Sequence, residues 1–73
     1  MYQLTVRLYE RTYGYTAYGE YGPAHSDGET DVVLMTAHCE AQLAPDESAH
    51  TCRMRAARSV CYEIAQNLDD ALF

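Results

Sequence analysis

The sequence predicts an α+β fold, a small antiparallel sheet of two or three strands packed on one long C-terminal helix, from three observations. Residues near the start alternate apolar and polar with a period of two. The last third repeats its apolar residues at helical spacing. Between them lie a tyrosine- and glycine-rich tract and a cluster of turn formers. The same pattern admits one alternative, a β-hairpin followed by a helical hairpin broken at Pro45. The 73 residues leave room for a single domain, 1–73, around one core.

The first strand is expected over about 2–11. Tyr2, Leu4, Val6 and Leu8 fall on one face, and Gln3, Thr5, Arg7, Tyr9 and Arg11 on the other. The apolar face should meet the helix, leaving Arg7, Tyr9 and Arg11 outward. From Thr12 to Gly22 the chain carries four tyrosines and three glycines. Tyrosine favours strands and glycine interrupts them, so a second strand is expected over about 15–21, after a turn or bulge at Tyr13-Gly14. Residues 22–31 hold glycine, proline, serine and Asp-Gly, and form the principal loop.

Residues 31–44 pull in two directions. Val32-Val33-Leu34-Met35-Thr36 opens as a buried strand, whereas Ala37, Glu40, Ala41, Gln42, Leu43 and Ala44 favour a helix. The β-branched pair and the hairpin-like loop before it favour a third strand over about 31–39. The helix follows over about 46–69, with Asp46 or Ser48 as cap and fraying expected beyond its last turn. At ~100° per residue, Met54, Ala57, Cys61, Ile64, Ala65, Leu68 and Leu72 form the stripe expected to face the core, with Val60 and Ala71 at its edge. Cys52, Ser59, Glu63 and Asp70 lie opposite. Cys61 is therefore expected inside and Cys52 in water.

Composition narrows the function. The formal charge is −6, from eleven acids against five arginines, with no lysine. Gripping phosphates needs a basic patch, and only Arg53, Arg55 and Arg58 come near one, so direct nucleic-acid binding is not expected. With three cysteines, no apolar leader-like segment and no run of ~18 apolar residues, the chain is expected in a reducing cytoplasm with free thiols, and not in a membrane.

Metal ligands are poorly spaced. No Cys-x-x-Cys or His-x-x-x-His occurs among His38, Cys39, His50, Cys52 and Cys61. On a helix Cys52 and Cys61 would stand about 180° apart with roughly 13 Å of rise, so no metal or other cofactor is expected. Cys52, placed near a helix start beside Arg53 and Arg55, is the one nucleophile candidate. Without a supporting motif it does not make the chain an enzyme. Gly14, Gly19 and Gly22 do not match a phosphate-binding loop.

Binding is better supported. Six of seven tyrosines lie in the first 21 residues, and tyrosine with arginine is the pairing enriched at interface hot spots. Arg7, Tyr9 and Arg11 share a strand face, which Tyr13 or Tyr15 would continue. Between residues 12 and 52 there is no arginine or lysine, yet seven acids fall there: Glu20, Asp27, Glu29, Asp31, Glu40, Asp46 and Glu47. If extended, Asp27, Glu29 and Asp31 would project about 6.6 Å apart on one side, a row of anions resembling a nucleic-acid backbone.

The expected function is a small acidic inhibitor or modulator acting on a basic, nucleic-acid-binding protein partner. Its expected contact residues are Arg7, Tyr9, Arg11, Tyr13, Tyr15, Glu20, Asp27, Glu29 and Asp31. Small size, acidity and lack of lysine are shared with anti-defence and anti-CRISPR inhibitors of phages and mobile elements, a likeness of type that no motif carries. The alternative is a homodimer or larger homo-oligomer with a structural role, its sheet faces paired with each other.

Overall fold

Period-two alternation at the start of the chain builds a hairpin. In the computed structural model, which describes residues 1–24 and 32–72, β1 spans Tyr2–Glu10 and β2 spans Gly14–Pro23. They pair antiparallel from Tyr2 opposite Pro23 to Glu10 opposite Tyr15. Arg11 and Gly14 exchange backbone hydrogen bonds of 2.8 and 3.4 Å around Thr12 and Tyr13, which ends the first strand one residue before the expected limit. β3, Met35–Gln42, pairs antiparallel with β2, giving the order β1-β2-β3. α1, Ala49–Leu72, crosses one face of this sheet. The fold is α+β, as expected, and the hairpin common to both readings is β1-β2.

The third strand and the helix differ from their expected limits for physical reasons. The third strand was expected from 31, yet Val32, Val33 and Leu34 precede it and are exposed. Residues 35–42 instead alternate Thr36, His38, Glu40 and Gln42 outward with Ala37, Cys39 and Ala41 inward. That alternation overrides the helix propensity of the alanines, because pairing with β2 satisfies their backbone groups. The helix begins at Ala49 and not near residue 46, since Ser48 is its cap: its Oγ accepts the Thr51 N–H at 3.2 Å. The helix continues to Leu72, three residues beyond its expected limit.

The face of the helix that meets the sheet corrects the expected stripe. Cys52, Ala56, Val60 and Ile64, spaced by four, are buried, while Met54 is 48% exposed and Cys61 lies in solvent. The expected stripe runs through the bulkiest apolar residues, but the sheet decides which side fits. Its inner surface beneath the helix is Ala17, Gly19, Ala37 and Ala41, flat enough for the helix to approach closely, with Val60 and Ile64 seated over Gly19; of the expected stripe, Ile64 is buried and Leu68 packs against the core. Cys52 is completely buried and its thiol donates to the Ala41 carbonyl at 3.5 Å. Cys39 donates likewise to the Ala56 carbonyl at 3.1 Å. The thiol expected in water is thus a core group out of a substrate's reach.

Gly14 is required by close approach, because a Cβ there would collide with the Ala41 carbonyl oxygen across the sheet. No described helix is long and apolar enough to cross a membrane.

The corner before the helix is closed by Glu47. Its carboxylate accepts from the Arg55 guanidinium at 2.8 and 3.1 Å and from the Ala44 N–H at 3.2 Å, while Arg55 also donates to the Gln42 carbonyl at 2.7 Å. The Arg55 hydrogen bonds, then that from Ala44, hold the Glu47 carboxyl below the usual carboxylate range. A carboxyl with a depressed folded-state pKa adds stability above its unfolded value, and this is lost as pH falls through the folded value. Urea midpoints measured from neutral to acid pH should therefore decline as pH drops through the ordinary carboxylate range and below it. In Glu47→Gln the neutral-pH midpoint should be lower and its acid dependence shallower.

Candidate partner-binding face

The helix occupies one side of the sheet and leaves the other open. Backbone pairing of Arg11 with Gly14 and of Met1 with Ala24 assigns the odd-numbered residues of β1 to the hydrogen-bonded pairs with β2. Side-chain parity follows from the same register. Leu4, Val6 and Leu8 turn toward the helix with Tyr15, Ala17 and Tyr21, and Arg7 and Tyr9 turn away with Thr16, Tyr18 and Glu20. From β3, Thr36, His38 and Glu40 join the outer face.

Three rings cross this face. Tyr9 and Tyr18 meet edge to face with centroids 5.5 Å apart, and Tyr18 stacks on His38 at 5.6 Å with 20° between planes. The ladder thus links all three strands. Arg11 closes its β1 end: the guanidinium carbon lies 5.8 Å from the Tyr9 ring centroid, and Nε donates to the Thr16 hydroxyl at 3.1 Å. Thr16 is buried, 2% exposed, on a face that is otherwise open. Arg7 approaches Glu20 at 3.7 Å, with 49% and 39% of the two side chains exposed. An exposed pair of this length contributes about 0–1 kcal/mol, so Arg7 can exchange Glu20 for another acceptor at little cost. Arg7, Tyr9, Arg11, Tyr18 and Glu20 line a shallow, open depression.

Such a face suits recognition of another protein. Rings already held by neighbours lose little side-chain freedom on binding, and each offers a broad apolar surface with a polar tip. The arginines stand on the β1 side, Glu20 at the centre and Glu40 on β3, so charge is graded across the strands.

Of the residues expected to contact a partner, Arg7, Tyr9, Arg11 and Glu20 converge around the depression. Tyr13 sits in the turn, 40% exposed, and its carbonyl accepts the Leu43 N–H at 2.8 Å. Tyr15 is on the helix side: its hydroxyl accepts from Arg53 at 3.1 Å, with that guanidinium 5.4 Å from the ring centroid. Its odd number reverses the expected parity because the two-residue turn at 12–13 changes which β2 residues share a face with Tyr9. Asp27, Glu29 and Asp31 lie outside the described residues. Tyr18 and His38 join the face without having been expected there. A count of parity across a turn at 12–13 would have placed Tyr18 with Arg7, but His38 needed the β2-β3 register.

No group of three or more His, Cys, Asp or Glu side chains that could hold a metal occurs among the described residues. Compared with protein-family models, with curated proteins and with solved structures, the chain finds no match in any of the three.

Proposed function

We propose that this chain is a non-enzymatic protein-binding module that inhibits or modulates a basic partner in the cytoplasm, a nucleic-acid-binding protein fitting best. The observation that supports it most is the Tyr9-Tyr18-His38 ladder, flanked by Arg7, Arg11 and Glu20 on an uncovered sheet face. Tyrosine and arginine in a cluster are the residue types that carry most interface energy. The charge of −6 supports the sign of the partner, since acidic surface steers association with a basic one and repels nucleic acid itself. In this reading the rings anchor, while the acids, Asp27, Glu29 and Asp31 among them, raise the association rate.

Immobilised protein exposed to lysate of its native host tests the reading, with the retained protein then purified and titrated. A basic protein should bind at low salt and be released as salt rises, because exposed charges are screened within roughly 8–10 Å at physiological ionic strength. Reversing Asp27, Glu29 and Asp31 together should slow its association at least tenfold, as loss of steering does. If the triple variant binds as fast and as tightly as the wild type, acid-driven recognition of a basic partner is wrong.

A further inference from the structure

We propose that the chain forms a two-fold dimer by antiparallel pairing of β1 with β1 of a second copy, Val6 opposite Val6, creating one six-stranded sheet. Whatever the outer face binds, this pairing rests on the strand edge alone. β1 is a sheet edge, and no described strand pairs with its far rim. Because its odd-numbered residues bond to β2, Tyr2, Leu4, Val6, Leu8 and Glu10 aim their N–H and C=O groups outward. The strand runs nine residues without a bulge, proline or lysine, three of the devices that blunt an edge, and Arg7 and Glu10 are its two charges.

The register selects a second copy of this chain as the occupant. Pairing about Val6 sets Leu4 opposite Leu8 of the other copy and Tyr2 opposite Glu10, and uses the outward groups of the whole strand in about ten hydrogen bonds. On the outer face it sets Thr5 opposite Arg7 and Gln3 opposite Tyr9, so no like charges stand directly opposite, and the two Arg7 side chains lie on a diagonal about 7–8 Å apart. A shift by one residue would oppose outward groups to groups already turned toward β2. A shift by two either places Arg7 opposite Arg7 or leaves Tyr9 and Glu10 without strand partners. β1 is thus complementary to itself in apolar pattern, charge and hydrogen-bond parity at one register, as an isologous interface requires.

Packing supports the same edge. Arg53 reaches Tyr15 and Arg55 reaches Gln42, which ties the start of the helix over β2 and β3. Leu4, Val6 and Leu8, on the helix side of β1, are left only partly buried. Joining two β1 strands makes their leucines and valines one continuous apolar floor between the two helices. The far edge of β3 is a poorer candidate, since it is shorter and its Gln42 carbonyl already accepts from Arg55. The dimer would also set two Tyr9-Arg7 clusters side by side on the outer face, giving a two-site surface.

The experiment is sedimentation under reducing conditions, joined to amide hydrogen exchange across a range of protein concentrations. The mass should double from 8.2 kDa as concentration rises. The amides of Leu4, Val6 and Leu8 should gain protection over the same range. Thr5→Arg faces Glu20 within its own sheet but Arg7 of the other copy, so it should fold and weaken the dimer about tenfold through two like-charge pairs. Thr5→Glu would stand opposite Glu20 of its own sheet and cost some stability, but per folded chain it should strengthen the dimer through Arg7 of the other copy. A mass that stays at one chain at all concentrations overturns the proposal. So does a dimer in which those three amides exchange as in the monomer, or one that neither Thr5 variant alters.

Discussion

Gly19→Val should destabilise the fold by about 3 kcal/mol, the upper end of the cost of overpacking a filled core. Gly19 lies on β2 directly under the helix, and even a Cβ there would collide with Val60 Cγ1 and come within 2.9 Å of Ile64 Cδ1. Val60 and Ile64 are 0% and 2% exposed, so neither has open space to turn into. The helix would have to lift from the sheet, loosening the contacts of Cys52 and Ala56 along with it. A chain of 73 residues has a total stability of roughly 4–11 kcal/mol, so this is a large fraction of it. Urea unfolding followed by far-UV circular dichroism measures the loss. A double-mutant cycle separates steric conflict from a general intolerance of β2: Gly19→Ala combined with Val60→Ala should cost less than the sum of the single changes. Strict additivity would mean that the two sites do not press on each other.

Tyr18→Ala should weaken partner binding by about 2 kcal/mol, or roughly 30-fold, the scale of an interface hot spot. Tyr18 is the middle ring of the ladder, touching Tyr9 on one side and His38 on the other, and 43% of it remains exposed for a partner. Its removal also costs the fold about 0.5–1.5 kcal/mol per lost ring pair, so affinities must be referred to the folded fraction. Tyr62→Ala supplies the comparison: that ring is 72% exposed on the helix, away from the sheet, and its loss should leave both stability and affinity within error. Equal losses for the two tyrosines would remove the outer sheet face as the binding site.

Much of this fold is legible in the residues themselves. The alternation of Leu4, Val6 and Leu8 with Arg7 and Tyr9 can be satisfied only by a strand with one covered face. The spacing from Met54 to Leu72 repeats at helical period, and a helix forms there, although a different side of it is buried. Arg7, Tyr9 and Arg11 are recognisable as one outward strand face from the clean parity of β1, whereas the meeting with Glu20 needs the β1-β2 register. Other features are not recoverable from local pattern. Tyr15 falls on the unexpected face because parity on β2 depends on the length of the turn before it, and Tyr18 escapes notice for the same reason. Residues 37–44 combine strong helix formers with a period-two pattern, and the backbone pairing available from β2 decides between them.

Periodicity and composition, which each segment carries within itself, dictate the α+β class, the order of strands and helix, the acidic balance and the concentration of tyrosine near the start. Packing and register settle the rest: which side of the helix is buried, which thiol is hidden, and which tyrosines share a face with His38. These depend on what lies opposite. An alanine and glycine sheet surface seats Cys52, Ala56, Val60 and Ile64, the last two over Gly19, and leaves Met54 and Leu72 in solvent, and side-chain direction across a sheet is set by register, which no single strand contains.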